Sequence, residues 1–182
     1  MKKFFSVSGL ILIVSIFVFT QLGCEKKAEE EKKPYEILTK ATEKMTICYL
    51  EHTGPYDQMG ALFGQLGEYA AQKEFTGDVV GIYYDDPAKV AVESLRSEIG
   101  VVVPEGFMPD SGYGVQEIPA RKVVYAILKG SYAEIAKEYP DIMKWMEEKG
   151  YKMSGPVMEI YLEAGPDVPP EQLVTEVQFP IE

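Results

Sequence analysis

Residues 157–162 hold the side chains with the clearest capacity for chemistry. The even-numbered positions are uniformly apolar, and Glu159 and Tyr161 stand between them. This alternation is typical of a strand and places Glu159 and Tyr161 on one face. A carboxylate beside aromatic rings in an apolar cleft either has its pKa raised or attracts a cation. Each ring adds about 0.5–2 kcal/mol of attraction for a cation. The pattern therefore predicts a site for a cationic or aromatic small molecule.

Other side chains are predicted to line the same cleft. The apolar positions of residues 157–162 are expected to cover a helix, which turns Glu159 towards the open face of the sheet. Alternation in the other strands turns further side chains to that face, and the loop of residues 104–114 adds an aromatic ring. The candidate ligand-binding residues are Glu159, Tyr161, Tyr83, Tyr125, Tyr49, Glu98 and Phe107. The structural alternative for Glu159 is a salt bridge to Arg121, Lys122 or Arg96.

An internal repeat supplies the elements that must position these residues. When the sequence is aligned with itself, one offset matches Tyr49 with Tyr125 and Tyr69 with Trp145. Residues 41–104 and 115–182 each read strand–helix–strand–strand, with apolar residues at helical spacing in the helix and short β-branched runs in the strands. The sequence predicts an α+β fold with pseudo-twofold antiparallel sheets, helices on one side and a central ligand cleft.

The order of several short motifs resembles the GyrI-like family, which includes the effector-binding domains of AraC- and BmrR-type regulators. The motifs are Gly54-Pro55-Tyr56, Gly130-Ser131-Tyr132, Trp145, and the run from Gly155 to Tyr161. The resemblance covers about residues 41–182 and implies a ligand cleft between two halves. In regulators of this family a buried glutamate among aromatic residues receives bulky, often cationic compounds. That glutamate corresponds to Glu159, and the tyrosine that follows it corresponds to Tyr161. Transcriptional control is not implied, because no DNA-binding helices are recognised before the domain.

The N-terminal sequence predicts export and lipid anchoring. Two lysines precede an apolar run at residues 10–19, which has the length of a signal-peptide core and is too short to span a bilayer. Gly23-Cys24 then resembles the bacterial lipoprotein box. We expect a signal peptide over residues 1–23, acyl chains such as palmitate on Cys24, and a charged tether to residue 40. An ordinary signal peptide with an incidental cysteine is the alternative.

Composition narrows the function further. The formal charge of −11 disfavours a nucleic-acid partner. One histidine, His52, and two cysteines leave little for a metal site, so neither a metal nor a cofactor is expected. His52 as a haem ligand is the alternative to a structural, hydrogen-bonded histidine. If Cys24 is acylated, Cys48 has no disulfide partner and is expected to be buried.

Three functions remain open from the sequence. The leading one is a non-enzymatic binding domain on the extracytoplasmic side of the cell envelope, with a small-molecule ligand and a lipid anchor in the membrane. The second is a hydrolase of electrophilic xenobiotics, with Glu159 as general base and Tyr161 or Tyr125 as hydrogen-bond donor. The third is a protein-interaction module that presents an exposed tyrosine face.

The anchoring prediction can be tested with Cys24→Ser. This variant lacks the thiol that would carry the acyl chains, so we expect it to lose acyl labelling and leave the membrane fraction. Fractionation with metabolic labelling measures both. A variant that stays labelled and membrane-bound like the wild type contradicts the lipoprotein interpretation.

Overall fold

The computed structural model describes residues 33–182. The predicted signal peptide, Cys24 and most of the predicted tether lie outside this range. Within it the strands are β1 (Leu38–Ala41), β2 (Met45–Thr53), β3 (Val79–Tyr83), β4 (Arg96–Val103), β5 (Gly114–Ile118), β6 (Lys122–Lys129), β7 (Val157–Glu163) and β8 (Val174–Ile181). The helices are α1 (Gly60–Gln72) and α2 (Tyr132–Glu148). Neither helix has the length and apolar character needed to cross a bilayer.

All eight strands form one antiparallel sheet in the order β1-β6-β8-β7-β3-β4-β2-β5. The two halves are β2-α1-β3-β4 and β6-α2-β7-β8, so the predicted α+β duplication is confirmed. The halves join where β3 pairs with β7, and this pairing sets Gly81 directly opposite Glu159. The pseudo-twofold axis therefore passes beside Glu159.

Each half receives its edge strand from the segment that precedes the other half. β1 pairs with β6 of the second half, and β5 pairs with β2 of the first half. The first three residues of β1, 38–40, fall within the segment 24–40 that the sequence assigns to a tether. The sheet therefore begins before residue 41. The pairing of β1 with β6 explains why a four-residue segment joins the sheet.

Short linkers force this sheet to curl. Five strands separate β1 from β2 in the sheet, a distance of roughly 29 Å if the sheet were flat. The chain from Ala41 to Met45 reaches at most about 14 Å. The same mismatch applies between β5 and β6. The two linkers meet, since the Thr42 N–H donates to the Arg121 carbonyl at 2.8 Å. The sheet therefore has an outer face that carries the helices and an enclosed inner face.

Both faces of the curled sheet are buried. On the outer face, α1 packs over β2 and β4, and α2 packs over β6 and β8. The inner face holds a separate apolar cluster made of Ile47, Val80, Ile82, Ile118, Met158 and Ile160. The apolar even-numbered positions of β7 thus point inwards, and Glu159 and Tyr161 point towards the helices. The sequence-based choice of face was wrong because the curl buries the side that an open sheet would expose.

Local contacts fix the helices and the start of the described chain. Ser131 caps α2, accepting a hydrogen bond from the Glu134 N–H in a capping box. The Lys33 ammonium lies 2.8 Å from Glu138 and 2.6 Å from Asp141, so the chain enters along α2. Cys48 is fully buried under α1, as predicted, and burial raises the pKa of its thiol.

Candidate ligand-binding site

A buried carboxylate surrounded by tyrosine hydroxyls lies at the centre of the molecule. Glu159 projects from β7 on the helix side and is 7% exposed. The Tyr139 hydroxyl, from α2, donates to Oε1 of Glu159. The Tyr83 hydroxyl, from β3, donates to Oε2 at 3.3 Å and lies 2.8 Å from the Tyr161 hydroxyl. Two central strands and one helix thus bring three tyrosines around one acid.

The Glu159 carboxylate has no positively charged side chain beside it among the described residues. Burial raises the pKa of Glu159, and the tyrosine hydrogen bonds oppose that rise. Burial, followed by the nearby Glu159 charge, raises the pKa values of Tyr83 and Tyr161. No lysine or arginine of residues 33–182 lies within 4.0 Å of the Glu159 carboxylate; Arg96, one of the expected partners, pairs with Asp85 at 2.8 Å. Among the described residues, tyrosine hydroxyl groups are the hydrogen-bond donors to this carboxylate.

Aromatic rings from both helices cover this cluster. Phe63 of α1 and Tyr132 of α2 are stacked at 6.3 Å, and together they form what we call the aromatic cover. Their ring centroids lie 5.1 and 5.5 Å from that of Tyr161 in edge-on contacts. Tyr132 is 41% exposed. The cover is thus the point at which the site comes nearest to solvent.

Gly81 makes space for the cluster. A Cβ atom at this position would lie 2.5 Å from the Tyr161 hydroxyl oxygen and 3.2 Å from that of Tyr83. Because Gly81 is the repeat equivalent of Glu159, the two halves place an acid and an empty position against each other across the axis.

The structure assembles only part of the predicted site. Glu159, Tyr161 and Tyr83 lie together, but Tyr125, Tyr49 and Glu98 lie on the inner face, on the other side of the sheet. They do not share a face with Glu159, because the predicted orientations of β7 and β3 were inverted and those of β2, β4 and β6 were not. Tyr125 packs under Lys40, whose nitrogen is 4.5 Å from the ring centroid, and Glu98 accepts hydrogen bonds from Tyr84 and Gln116. Tyr49 packs against the inner apolar cluster.

Phe107 also lies away from Glu159. Its ring packs edge-on against Phe75 at 5.0 Å, in the cluster beneath α1. The loop aromatic is thus packed against the hydrophobic core beneath α1.

Sequence reasoning missed Tyr139, Phe63 and Tyr132. The repeat matches Phe63 with Tyr139, a signal that two equivalent aromatic positions face the axis. Both residues fit the apolar stripes of their helices, a pattern typical of core positions. His52 behaves as a structural residue, with Nε2 3.0 Å from the Pro55 carbonyl oxygen. No group of three or more His, Cys, Asp or Glu side chains suited to a metal occurs within residues 33–182.

Comparison with known proteins assigns the family. The model of the GyrI-like small molecule binding domain matches residues 33–182. The chain belongs to the GyrI-like family. The DNA gyrase inhibitor of Escherichia coli K12 is 30% identical over 138 residues, which cover 72% of this chain and 87% of that protein.

Two solved structures share the fold of this GyrI-like domain. The EcmrR C-terminal domain superposes with a TM-score of 0.68 at 22% identity, covering 82% of this chain and 99% of that one. SAV2435 bound to tetraphenylphosphonium superposes with a TM-score of 0.56 at 12% identity, covering 81% and 94%.

Gly81→Ala tests whether the space at the axis matters. The added methyl group must displace the Tyr161 or Tyr83 hydroxyl, so we expect the free energy of unfolding to fall by about 1–3 kcal/mol. Urea denaturation measures this loss. Gly67→Ala in α1 is the matched control, since its Cβ meets nothing within 4 Å and alanine favours the helix. Equal stability of Gly81→Ala and the wild type contradicts the described packing.

Proposed function

We propose that this chain is an envelope-anchored protein whose GyrI-like domain captures a cationic, aromatic small molecule at Glu159 without transforming it. The observation that carries the proposal is the buried carboxylate with three tyrosines around it and no cationic partner among the described residues. Removing a charge from water without a counter-charge costs several kcal/mol, and a ligand cation would offset that cost.

The aromatic surroundings indicate the shape of the ligand. The faces of Tyr83, Tyr161 and the aromatic cover attract cations and flat rings through their quadrupoles. A bulky organic cation satisfies both the rings and the carboxylate, whereas a small hydrated ion would leave the rings uncovered. The ligand class is therefore a lipophilic organic cation.

A ligand has to open the site before it reaches Glu159. The carboxylate is 7% exposed and Tyr161 is 6% exposed, so the rings now occupy the space that a ligand needs. Tyr139 and Tyr132 both belong to α2, and Phe63 belongs to α1. Entry between the helices would move the aromatic cover aside and exchange the Tyr139 hydroxyl for the ligand cation.

One further polar group faces this region. Thr175 pairs with Tyr161 across β7 and β8, and its hydroxyl is fully buried without a hydrogen-bond partner in the described chain. Buried hydroxyl groups are normally satisfied. A ligand with a hydrogen-bonding group beside its cation would gain affinity from Thr175.

The same geometry bears on the two alternative functions, a hydrolase and a protein-interaction module. A hydrolase would use Glu159 as general base, but Tyr125 is not available to it, and Tyr83 or Tyr139 would have to donate in its place. An interaction module would need an exposed tyrosine face, whereas Glu159 and Tyr161 are enclosed. An enclosed acid favours a small molecule over a protein partner.

The proposal is tested by titrating the protein with tetraphenylphosphonium in a calorimeter. Glu159→Gln keeps the side-chain shape and removes the charge, so binding should weaken by about 1.5–3 kcal/mol, or roughly 10- to 150-fold. Exposed Glu171 provides the control variant Glu171→Gln, which should bind like the wild type.

Two results would overturn the proposal. Unchanged affinity in Glu159→Gln, together with lower stability, would make Glu159 a structural residue. Chemical conversion of an electrophilic substrate by the wild type, with binding alone in Glu159→Gln, would assign the hydrolase function.

A further inference from the structure

Arg121 is a half-buried cation without an ion-pair partner among residues 33–182, on the face of the sheet opposite to Glu159. It precedes β6 in the linker that meets Thr42, and its side chain extends over the inner face, where Nη2 lies 3.7 Å from the Met158 sulfur. Its Nε atom is shielded from solvent and has no hydrogen-bond partner in the described residues. A thioether is a weak acceptor, so the guanidinium has almost none of the hydrogen bonds that it could donate.

The acids of the inner face do not neutralise Arg121. No carboxylate of residues 33–182 lies within 4.0 Å of the guanidinium. Glu98 is held by Tyr84 and Gln116, and Glu176 is held by Lys40 at 2.6 Å. Burial lowers the pKa of Arg121, as expected for a cation removed from water without a counter-charge.

The internal repeat shows that the fold does not require an arginine here. Arg121 corresponds to Met45 in the repeat. Met45 pairs with Ile118, and in the equivalent position the Arg121 backbone bonds to Thr42. Met45 packs against the inner apolar cluster. A long apolar side chain therefore suffices at this position in one half, and the charge in the other half adds a cost without a packing benefit.

A second unsatisfied group lies on the same inner face. Gln178 is 1% exposed, and its Oε1 atom has no partner in the described chain. Gln178 is the cross-strand neighbour of Met158, the residue beneath the guanidinium. The inner face thus holds one unpartnered donor, Arg121 Nε, and one unpartnered acceptor, Gln178 Oε1, and an oxyanion would satisfy the donor.

The guanidinium can be approached from one side. Gly155 has no side chain to cover it, and a Cβ there would stand 4.0 Å from Nη1. Tyr84, the residue that follows β3, is 37% exposed. Two oxygens of a carboxylate or phosphate group match the forked donors of an arginine.

We propose that Arg121 binds an oxyanion, a carboxylate or phosphate group, that enters past Gly155. This site is separate from the cation site, because Met158 and Glu159 are consecutive in β7 and point to opposite faces. Its occupant would neutralise the guanidinium and satisfy Nε.

Thermal unfolding of the protein in phosphate, acetate and chloride at equal ionic strength tests the proposal. The wild type should gain Tm in a saturable way with phosphate or acetate, beyond any gain with chloride. Arg121→Met reproduces the residue of the other half and should lose that gain while being at least as stable in chloride. Lys152→Met, which removes an exposed cation, should keep it.

The different anions distinguish which oxyanion binds. A gain with phosphate alone assigns a phosphate group, and a gain with acetate alone assigns a carboxylate. Gly155→Val retains the charge and blocks the approach, so it should weaken the apparent affinity at least tenfold even if Arg121→Met folds poorly. The absence of a saturable gain over chloride in the wild type, or equal gains in Arg121→Met and Gly155→Val, would overturn the site.

Discussion

The antiparallel pairing of β3 with β7 is the constraint on which the remaining structure depends. It joins two similar halves into one sheet and sets Gly81 opposite Glu159 at the pseudo-twofold axis. Repetition alone would place identical residues there, and two facing acids would repel each other. The glycine in one half instead leaves room for the hydroxyl groups of Tyr161 and Tyr83 beside the single acid in the other. The duplication thus supplies the scaffold, and the difference between Gly81 and Glu159 at equivalent positions forms the candidate site.

The curl of the sheet decides which side chains can take part in that site. Linkers of three residues join strands that lie far apart in the sheet order, so the inner face is closed around its own apolar cluster. The proposed cation site therefore lies on the outer face, in the gap between α1 and α2. Apolar side chains of the helices pack over β2, β4, β6 and β8, and the rings of Phe63, Tyr132 and Tyr139 lie against Tyr161 and Glu159. This division explains why hydroxyl groups, and not a lysine or arginine, surround Glu159.

The sequence predicted the elements better than their environment. Helical spacing, strand alternation and the repeat were sufficient for the order of strands and helices in each half, because each is a local pattern. Alternation also grouped Glu159 with Tyr161. It shows which residues of a strand share a face, but it does not show what covers that face. The curl depends on pairing between β1 and β6, which are remote in sequence, and so the face was assigned wrongly. Tyr139 was missed for a related reason, since a tyrosine in an apolar helical stripe looks like core until its hydroxyl partner is known.

The central claim is that Glu159 is a desolvated carboxylate held ready for a cation. Carbon-detected NMR of its side-chain carboxyl, assigned by comparison with Glu159→Gln, measures its pKa directly. We expect a pKa above the ordinary value of 4.5 without ligand and a lower pKa when tetraphenylphosphonium is bound, because the cation favours the charged form. Because the folded-state pKa is raised, the wild type should lose stability relative to Glu159→Gln as pH rises from 4.5 through that pKa. A pKa at or below 4.5 that does not respond to the cation would contradict the account.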